Sequence, residues 1–179
     1  MNKIYYAVCC VDKDSLGSGK IPSGTAVFKE GNSSGEDGAE QEYRLVSYLK
    51  KDARANISSV AGKGAPGAKR AELKYRVQKR YEYQGKAYEL VRITLLTGRH
   101  HQIRVQMADA GLALYGDRKY NREWEAFCVP ERGAGSGTRL ALCAAELTFL
   151  HPVSGNRIHF EVTPFFCQQN YFLTLTHES

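Results

Sequence analysis

The chain has 179 residues, 42% of them hydrophobic and 11% aromatic, which is enough for one domain with a hydrophobic core. Its 25 lysines and arginines outnumber 19 aspartates and glutamates, and the net charge of +6 favours a polyanionic partner. No run approaches about 18 apolar residues and no CxxC pair occurs, which argues against a membrane span and a zinc cluster. We therefore expect a cytoplasmic protein with free thiols.

The first predicted element is a strand at residues 4–11, because IYYAVCCV is an aromatic and β-branched run typical of a buried strand. A turn-rich stretch follows. Residues 30–41 are then rich in glycine, serine and acidic side chains and have no core-forming pattern. We predict a flexible insertion at about 30–41 within a single domain that spans 1–179.

Positive charge is concentrated between Lys69 and Arg104, where ten lysines and arginines accompany three glutamates, a net of +7. From residue 71 apolar and polar residues alternate, and they alternate again after the turn YQGK at 83–86. This pattern predicts a hairpin with one basic face, which includes Lys74 and Arg76.

A helix is predicted directly after this hairpin. Thr97 and Gly98 end the strand, and the spacing of Ile103, Met107 and Ala110 indicates a helix that ends at Gly111.

A second hairpin is predicted over 145–162, with alternating apolar residues on both strands and a turn at 152–156. Together these elements predict an α+β fold: a mostly antiparallel mixed sheet of at least five strands with a few helices.

The segment TGRHHQIRVQ, residues 97–106, has the most informative chemistry. It places Arg99, His100, His101, Gln102 and Arg104 at a turn from a strand into a helix. Helix amino termini present free N–H groups and partial positive charge, so this junction suits an anion such as an RNA phosphate. The alternative is a solvated basic turn with hydrogen-bonded histidines.

A metal site at the two histidines is not expected. Adjacent side chains point in different directions, and no third ligand lies at a suitable spacing.

Two segments resemble motifs of RluA-type RNA pseudouridine synthases. Residues 97–104, TGRHHQIR, are similar to TGR-x-HQIR, and residues 111–120, GLALYGDRKY, are similar to G-x-x-x-x-GD-x-x-Y. Three further segments are similar to family motifs: KIYYAV at 3–8, LKKD followed by Asn56, and RLALCAAELTFLHPVSG at 139–155. The five segments occur in the family's order.

The resemblance implies isomerisation of a uridine to pseudouridine in structured RNA, either rRNA or tRNA. The N-glycosidic bond is cleaved, the base is turned and it is rejoined through carbon, without metal or organic cofactor. Tyr5 matches the tyrosine that packs on the flipped base, Arg104 the basic residue that pairs with the catalytic aspartate, and Ile103 the apolar pocket neighbour.

RNA contacts are expected along a phosphate track. Its predicted members are Arg99, His100, His101, Gln102, Lys74, Arg76, Arg118 and Lys119. Asp117, in the GD turn, is interpreted as a local backbone cap in preference to a functional group.

The family's catalytic aspartate belongs to an HRLD-type motif upstream of the tyrosine strand, and no such motif occurs in this sequence. Asp12 and Asp14 follow Tyr5 and lack the His-Arg lead, so we interpret them as turn residues. We therefore expect a carboxy-terminal portion of the catalytic domain, incomplete at its amino terminus and inactive as an isolated chain.

Several residues depart from the usual family pattern. These are Gln106 and Cys143 in place of His, Ala113 in place of Pro, and Asn121 in place of Gly.

Three hypotheses for function are consistent with these patterns. The first is a synthase that needs a further catalytic segment, and the second is a non-catalytic RNA-binding module derived from the same family. The third is a small basic protein unrelated to RNA. An incomplete sheet would also expose a strand edge and apolar surface, and both promote association.

Overall fold

The computed structural model describes residues 1–11, 24–30, 41–83, 85–122 and 139–167. The predicted first strand is present as β1, and the strands of both predicted hairpins are present as β5, β6, β7 and β8. The strands are β1 (Asn2–Val11), β2 (Ala26–Glu30), β3 (Glu42–Asp52), β4 (Ile57–Ala61), β5 (Lys69–Tyr83), β6 (Lys86–Leu95), β7 (Leu142–Leu150) and β8 (Arg157–Glu161). The helices are α1 (Gln102–Asp109) and a 3-10 turn at Phe165–Cys167.

These strands form one antiparallel sheet in the order β2-β3-β5-β6-β1-β7-β8. The short strands β2 and β4 both pair with β3, β2 along its first half and β4 along its second. β1 lies between β6 and β7, with Tyr5 opposite Ile93 of β6. The first predicted strand is thus well inside the described sheet.

The helix α1 packs on one face of the sheet. Ile103 and Met107 are 5% and 0% exposed and belong to a core cluster with Leu73, Val91 and Ile93. Their spacing in the sequence predicted this burial, and Gly111, with φ +79°, follows the helix as expected.

The other face of the sheet has a smaller core. Val8 and Tyr88 pack there with Tyr115 and Phe166, so Tyr115 and the 3-10 turn lie on this side, whereas Leu114 of the same loop packs on the side of α1. Successive residues of a strand point to opposite faces, and β1 accordingly contributes Ala7 and Cys9 to one core and Val8 and Cys10 to the other.

The loop after α1 is held against β1. The amide of Cys10 donates to the carbonyl of Ala113 at 2.8 Å, and the amide of Tyr115 donates to the carbonyl of Val8 at 2.8 Å. Gly116 follows with φ +77°, and a Cβ there would lie 2.2 Å from the carbonyl oxygen of Arg139. Only glycine fits this close approach without rearrangement.

Two sequence predictions fall wholly or mostly outside the described residues: the insertion at 30–41, of which only Glu30 and Gln41 are described, and the turn containing Asp12 and Asp14. In the described part of the chain, no helix is long and apolar enough to cross a membrane.

Candidate active site

The turn before α1 is organised by the side chain of Gln102. Its Oε1 accepts hydrogen bonds from the Thr97 hydroxyl at 2.8 Å and the Arg99 amide at 2.9 Å, and its Nε2 donates to the carbonyl of Glu72 at 3.0 Å. Gln102 is 2% exposed. The predicted RNA contact of Gln102 stays a prediction, but in this structure its amide is buried and engaged with the turn and β5.

The two histidines of the motif lie side by side. His101 precedes α1 with φ 52°, a left-handed conformation, and its ring centroid is 3.9 Å from that of His100. The expectation that these side chains point in different directions was wrong, because it assumed ordinary backbone geometry at His101.

Tyr120, the last residue of the GD-x-x-Y motif, joins three segments of the chain. The amide of Ser58 in β4 donates to its hydroxyl oxygen at 2.8 Å, and the hydroxyl lies 2.8 Å from Nδ1 of His101. The Tyr120 ring is 4.9 Å from Cζ of Arg104, within cation–π distance. The phenol therefore links β4, the start of α1 and the loop after α1.

Arg104 makes a bidentate ion pair with Asp117. Its Nε donates to Oδ2 at 2.8 Å, and its Nη2 donates to Oδ1 at 2.7 Å. The side chains are 16% and 1% exposed. Hydrogen bonding to Asp117 raises the pKa of Arg104 above its ordinary value, so the guanidinium carries its charge at any physiological pH.

Asp117 also has the capping role predicted for it. Its Oδ1 accepts hydrogen bonds from the amides of Lys119 at 2.9 Å and Tyr120 at 3.2 Å. The sequence indicated this cap but not the pairing with Arg104, because nothing in the pattern shows that two residues 13 positions apart meet.

His100 is surrounded by polar groups and positive charge. Its ring lies 2.9 Å from Oγ of Ser58 and 3.0 Å from Oδ1 of Asn56. Desolvation, followed by the charges of Lys51, Lys119 and Arg104, lowers its pKa from the ordinary value.

The same factors act on His101. Desolvation lowers its pKa first, and the charge of Arg104 lowers it further. Both rings are therefore predominantly neutral at pH 7.

Tyr5 and Ile103 lie on the same side of the sheet. Ile103 belongs to the core cluster under α1, and Tyr5 is half-buried against that cluster. Gln106, one turn further along α1, is 0% exposed, and its Nε2 donates to Oγ of Ser47 at 2.9 Å and to the carbonyl of Ala71 at 3.2 Å. Gln106 thus ties the helix to β3 and β5.

The predicted phosphate track is divided between two faces. Lys74 and Arg76 alternate with Leu73 and Tyr75, which pack under α1, so these cations point away from Arg104. Lys74 forms ion pairs with Glu30 and Glu42, and Arg76 pairs with Glu42 at 3.1 Å. Their RNA contacts stay a prediction, but the structure does not join them to the site.

Other predicted cations lie near α1. Arg99 is exposed and donates from Nε to the carbonyl of Arg70 at 3.0 Å, and Arg118 is exposed in the GD turn. Lys119 is exposed and donates from Nζ to the carbonyl of Asn56 at 3.0 Å. Lys51, which was not among the predicted RNA contacts, adds its charge beside His100.

Several known proteins resemble this chain. Residues 1–109 match the family described as RNA pseudouridylate synthase. Ribosomal large subunit pseudouridine synthase C of Escherichia coli (strain K12) is 38% identical over 110 residues, which are 59% of this chain and 30% of that protein. Ribosomal large subunit pseudouridine synthase D of Zymomonas mobilis is 40% identical over 72 residues, which are 40% of this chain and 22% of that protein. The match spans less than a third of these relatives' length.

Two solved structures have a similar fold. Human RNA pseudouridylate synthase domain containing 1 gives a TM-score of 0.56 at 18% identity, covering 92% of this chain and 55% of that one. Human RNA pseudouridylate synthase domain containing 4 gives a TM-score of 0.52 at 15% identity, and the match covers 98% of this chain and 61% of that one.

Proposed function

Because the chain belongs to the RNA pseudouridylate synthase family, we propose that it forms the uridine-binding part of a pseudouridine synthase acting on structured RNA. The proposal rests chiefly on Arg104, a charged guanidinium held at the start of α1 on the sheet face where Tyr5 packs. Since its curated relatives are named for the large ribosomal subunit, we propose rRNA as the substrate.

The proposed reaction breaks the bond between N1 of uracil and C1′ of ribose and forms a bond between C5 and C1′. The hydrogen on C5 is then lost to solvent, and N1 gains a proton. Tyr5 would stack on the turned base, and Arg104 would keep the nucleophilic carboxylate ionised and oriented. We propose that this carboxylate comes from a segment outside these 179 residues.

Release of tritium from RNA that carries [5-³H]uridine tests this proposal. The chain alone should release none, whereas the chain joined to the HRLD-type segment of a relative should release it. An Arg104→Ala variant of the joined protein should lose at least about 100-fold in rate, the range seen when an electrostatic group is removed from an active site. Absence of turnover in the joined protein, with RNA binding retained, would favour the non-catalytic RNA-binding module instead.

We further propose that RNA phosphates approach the sheet face on which α1 lies. Lys119 and Lys51 are exposed there beside His100, whereas Lys74 and Arg76 lie on the opposite face with glutamate partners. Lys74 and Arg76 would have to give up their glutamate partners to gain a phosphate, whereas no ion pair is seen for Lys51 or Lys119 among the described residues.

Fluorescence anisotropy with a structured RNA over a series of KCl concentrations tests this placement. The double variant Lys51→Ala/Lys119→Ala should lower the slope of log K against log salt by about 2, since each phosphate contact contributes about 1. The matched variant Lys74→Ala/Arg76→Ala removes the same charge and should change the slope less. An equal change in both variants would contradict the placement.

A further inference from the structure

The Arg104 guanidinium is held on two sides by residues of one short loop. Asp117 occupies the edge formed by Nε and Nη2, and the Tyr120 ring covers a face. Nη1 is the nitrogen that Asp117 does not engage. A guanidinium fixed in this way can offer Nη1 to a second oxyanion without losing its first partner.

Asp117 is itself rigidly placed. Its side chain is 1% exposed, and the amides of Lys119 and Tyr120 donate to Oδ1. Gly116, just before it, is confined by the carbonyl of Arg139. The carboxylate can therefore change direction only if the whole loop moves.

Tyr120 is fixed from the opposite side. The buried amide of Ser58 donates to its hydroxyl, and His101 bonds to the same oxygen. Free rotation of the ring away from Arg104 would break both contacts.

From this geometry we infer that Asp117 is a positioning residue, which orients Arg104 so that its Nη1 end meets the nucleophilic carboxylate. The inference rests on the proposed function for the identity of that second carboxylate. It goes beyond a capping role, because a cap requires only the amides of Lys119 and Tyr120 and leaves the guanidinium unconstrained.

The first test uses the 179-residue chain and side-chain NMR. The Nε–H of Arg104, assigned by its loss in Arg104→Lys, should exchange at least about tenfold more slowly in the wild type than in Asp117→Asn. Asn keeps an oxygen for the two amides but loses the charge and one acceptor. Equal exchange in both proteins would overturn the inference.

The second test uses the joined, active protein. Asp117→Asn should lower kcat on the order of 100-fold with little change in KM, because misorientation of a reacting group affects the rate more than binding. When Arg104→Ala is already present, adding Asp117→Asn should lower kcat hardly any further. Glu146→Gln is the control: it removes a carboxylate paired with Arg92 on the other side of the sheet and should leave kcat unchanged.

A merely structural role predicts a different result. It would lower the melting temperature and the active fraction while leaving kcat per folded molecule unchanged, and such an outcome overturns the inference. If the wild-type joined protein fails to turn over, the proposed function fails, and the exchange measurement alone decides the role of Asp117.

Discussion

The hydroxyl of Tyr120 satisfies a buried donor in a neighbouring strand. Ser58 is 5% exposed, and its amide has the Tyr120 oxygen at 2.8 Å as acceptor. Tyr120→Phe leaves that amide buried without this acceptor while it keeps the ring beside Arg104. We expect a loss of about 1–3 kcal/mol in the free energy of unfolding, measured in urea. Tyr43→Phe is the control, since it also removes a hydroxyl from a tyrosine that stacks on another ring, that of Tyr75. It should lower the free energy of unfolding less.

Protonation of His101 should make the free energy of unfolding depend on pH. The pKa of His101 is lowered from 6.5 by desolvation and then by the charges of Arg104, His100 and Lys119, while Asp117 opposes the shift. The unfolded chain therefore binds more protons in the window below 6.5, so the free energy of unfolding should fall as pH drops through that window and stay level above it.

Melting temperatures between pH 5 and pH 8 check this dependence. His100→Gln/His101→Gln should flatten the curve near 6.5. A wild-type curve that rises as the pH falls would contradict the direction of the shift.

At the scale of elements, the loop after α1 depends on a glycine whose replacement should destabilise the fold. Gly116 combines φ +77° with a carbonyl oxygen where its Cβ would lie. Gly111 has a similar φ of +79° but open space around it. Backbone strain should therefore cost about 1 kcal/mol at both positions, and overpacking should add about 1–3 kcal/mol at Gly116 alone.

Denaturant unfolding of Gly116→Ala and Gly111→Ala separates the two costs. Similar losses in both variants would show that the close approach of Arg139 is unimportant. A larger loss at Gly116, together with a less protected Arg104 Nε–H, would connect the loop conformation to the orientation of the guanidinium.

The sequence predicted the elements better than their spatial relations. Alternation located β5 and β6, and the spacing of Ile103 and Met107 located α1, because these patterns are local. The side of the sheet to which Lys74 points relative to α1 is not local. It depends on the order of the strands in the sheet and on the side where α1 packs, and alternation within one strand reveals neither.

The partners of the predicted site residues were also beyond the sequence. Lys74 lies beside Glu30 and Glu42 only because β2, β3 and β5 are adjacent, and Arg104 meets Asp117 only because the loop is held on β1. The motif predicts an RNA contact for Gln102, yet the turn geometry buries its side chain. Motif resemblance predicted which residues belong to the site, but their hydrogen bonds required coordinates.

At the scale of the whole molecule, the β7–β8 hairpin exposes apolar surface. Leu147 pairs with Phe160 and Phe149 with Ile158, so these side chains share a face, and Phe149 and Phe160 stack with centroids 6.3 Å apart. Phe160 is 59% exposed. Apolar side chains are therefore exposed in the described part of the sheet. That this exposure marks an incomplete sheet stays a prediction.

Concentration-dependent association should follow from this face. Sedimentation velocity of the wild type should give larger species at high concentration, and Phe160→Lys should reduce them. Leu150→Lys is the matched control, because Leu150 is 68% exposed but points to the opposite face of the hairpin. A wild type that stays monomeric at every concentration would contradict this prediction.

The contacts that hold Arg104, from Asp117 and Tyr120, have a consequence for protein engineering. The eight residues TGRHHQIR carry the guanidinium, but its orientation comes from Asp117 and Tyr120, and the position of Tyr120 comes in turn from β4. Transplanting the motif into another scaffold would therefore transfer the arginine without the contacts that orient its guanidinium. The smallest graft that could retain the geometry must include β4, α1 and the loop through Tyr120, as well as the strands that hold them.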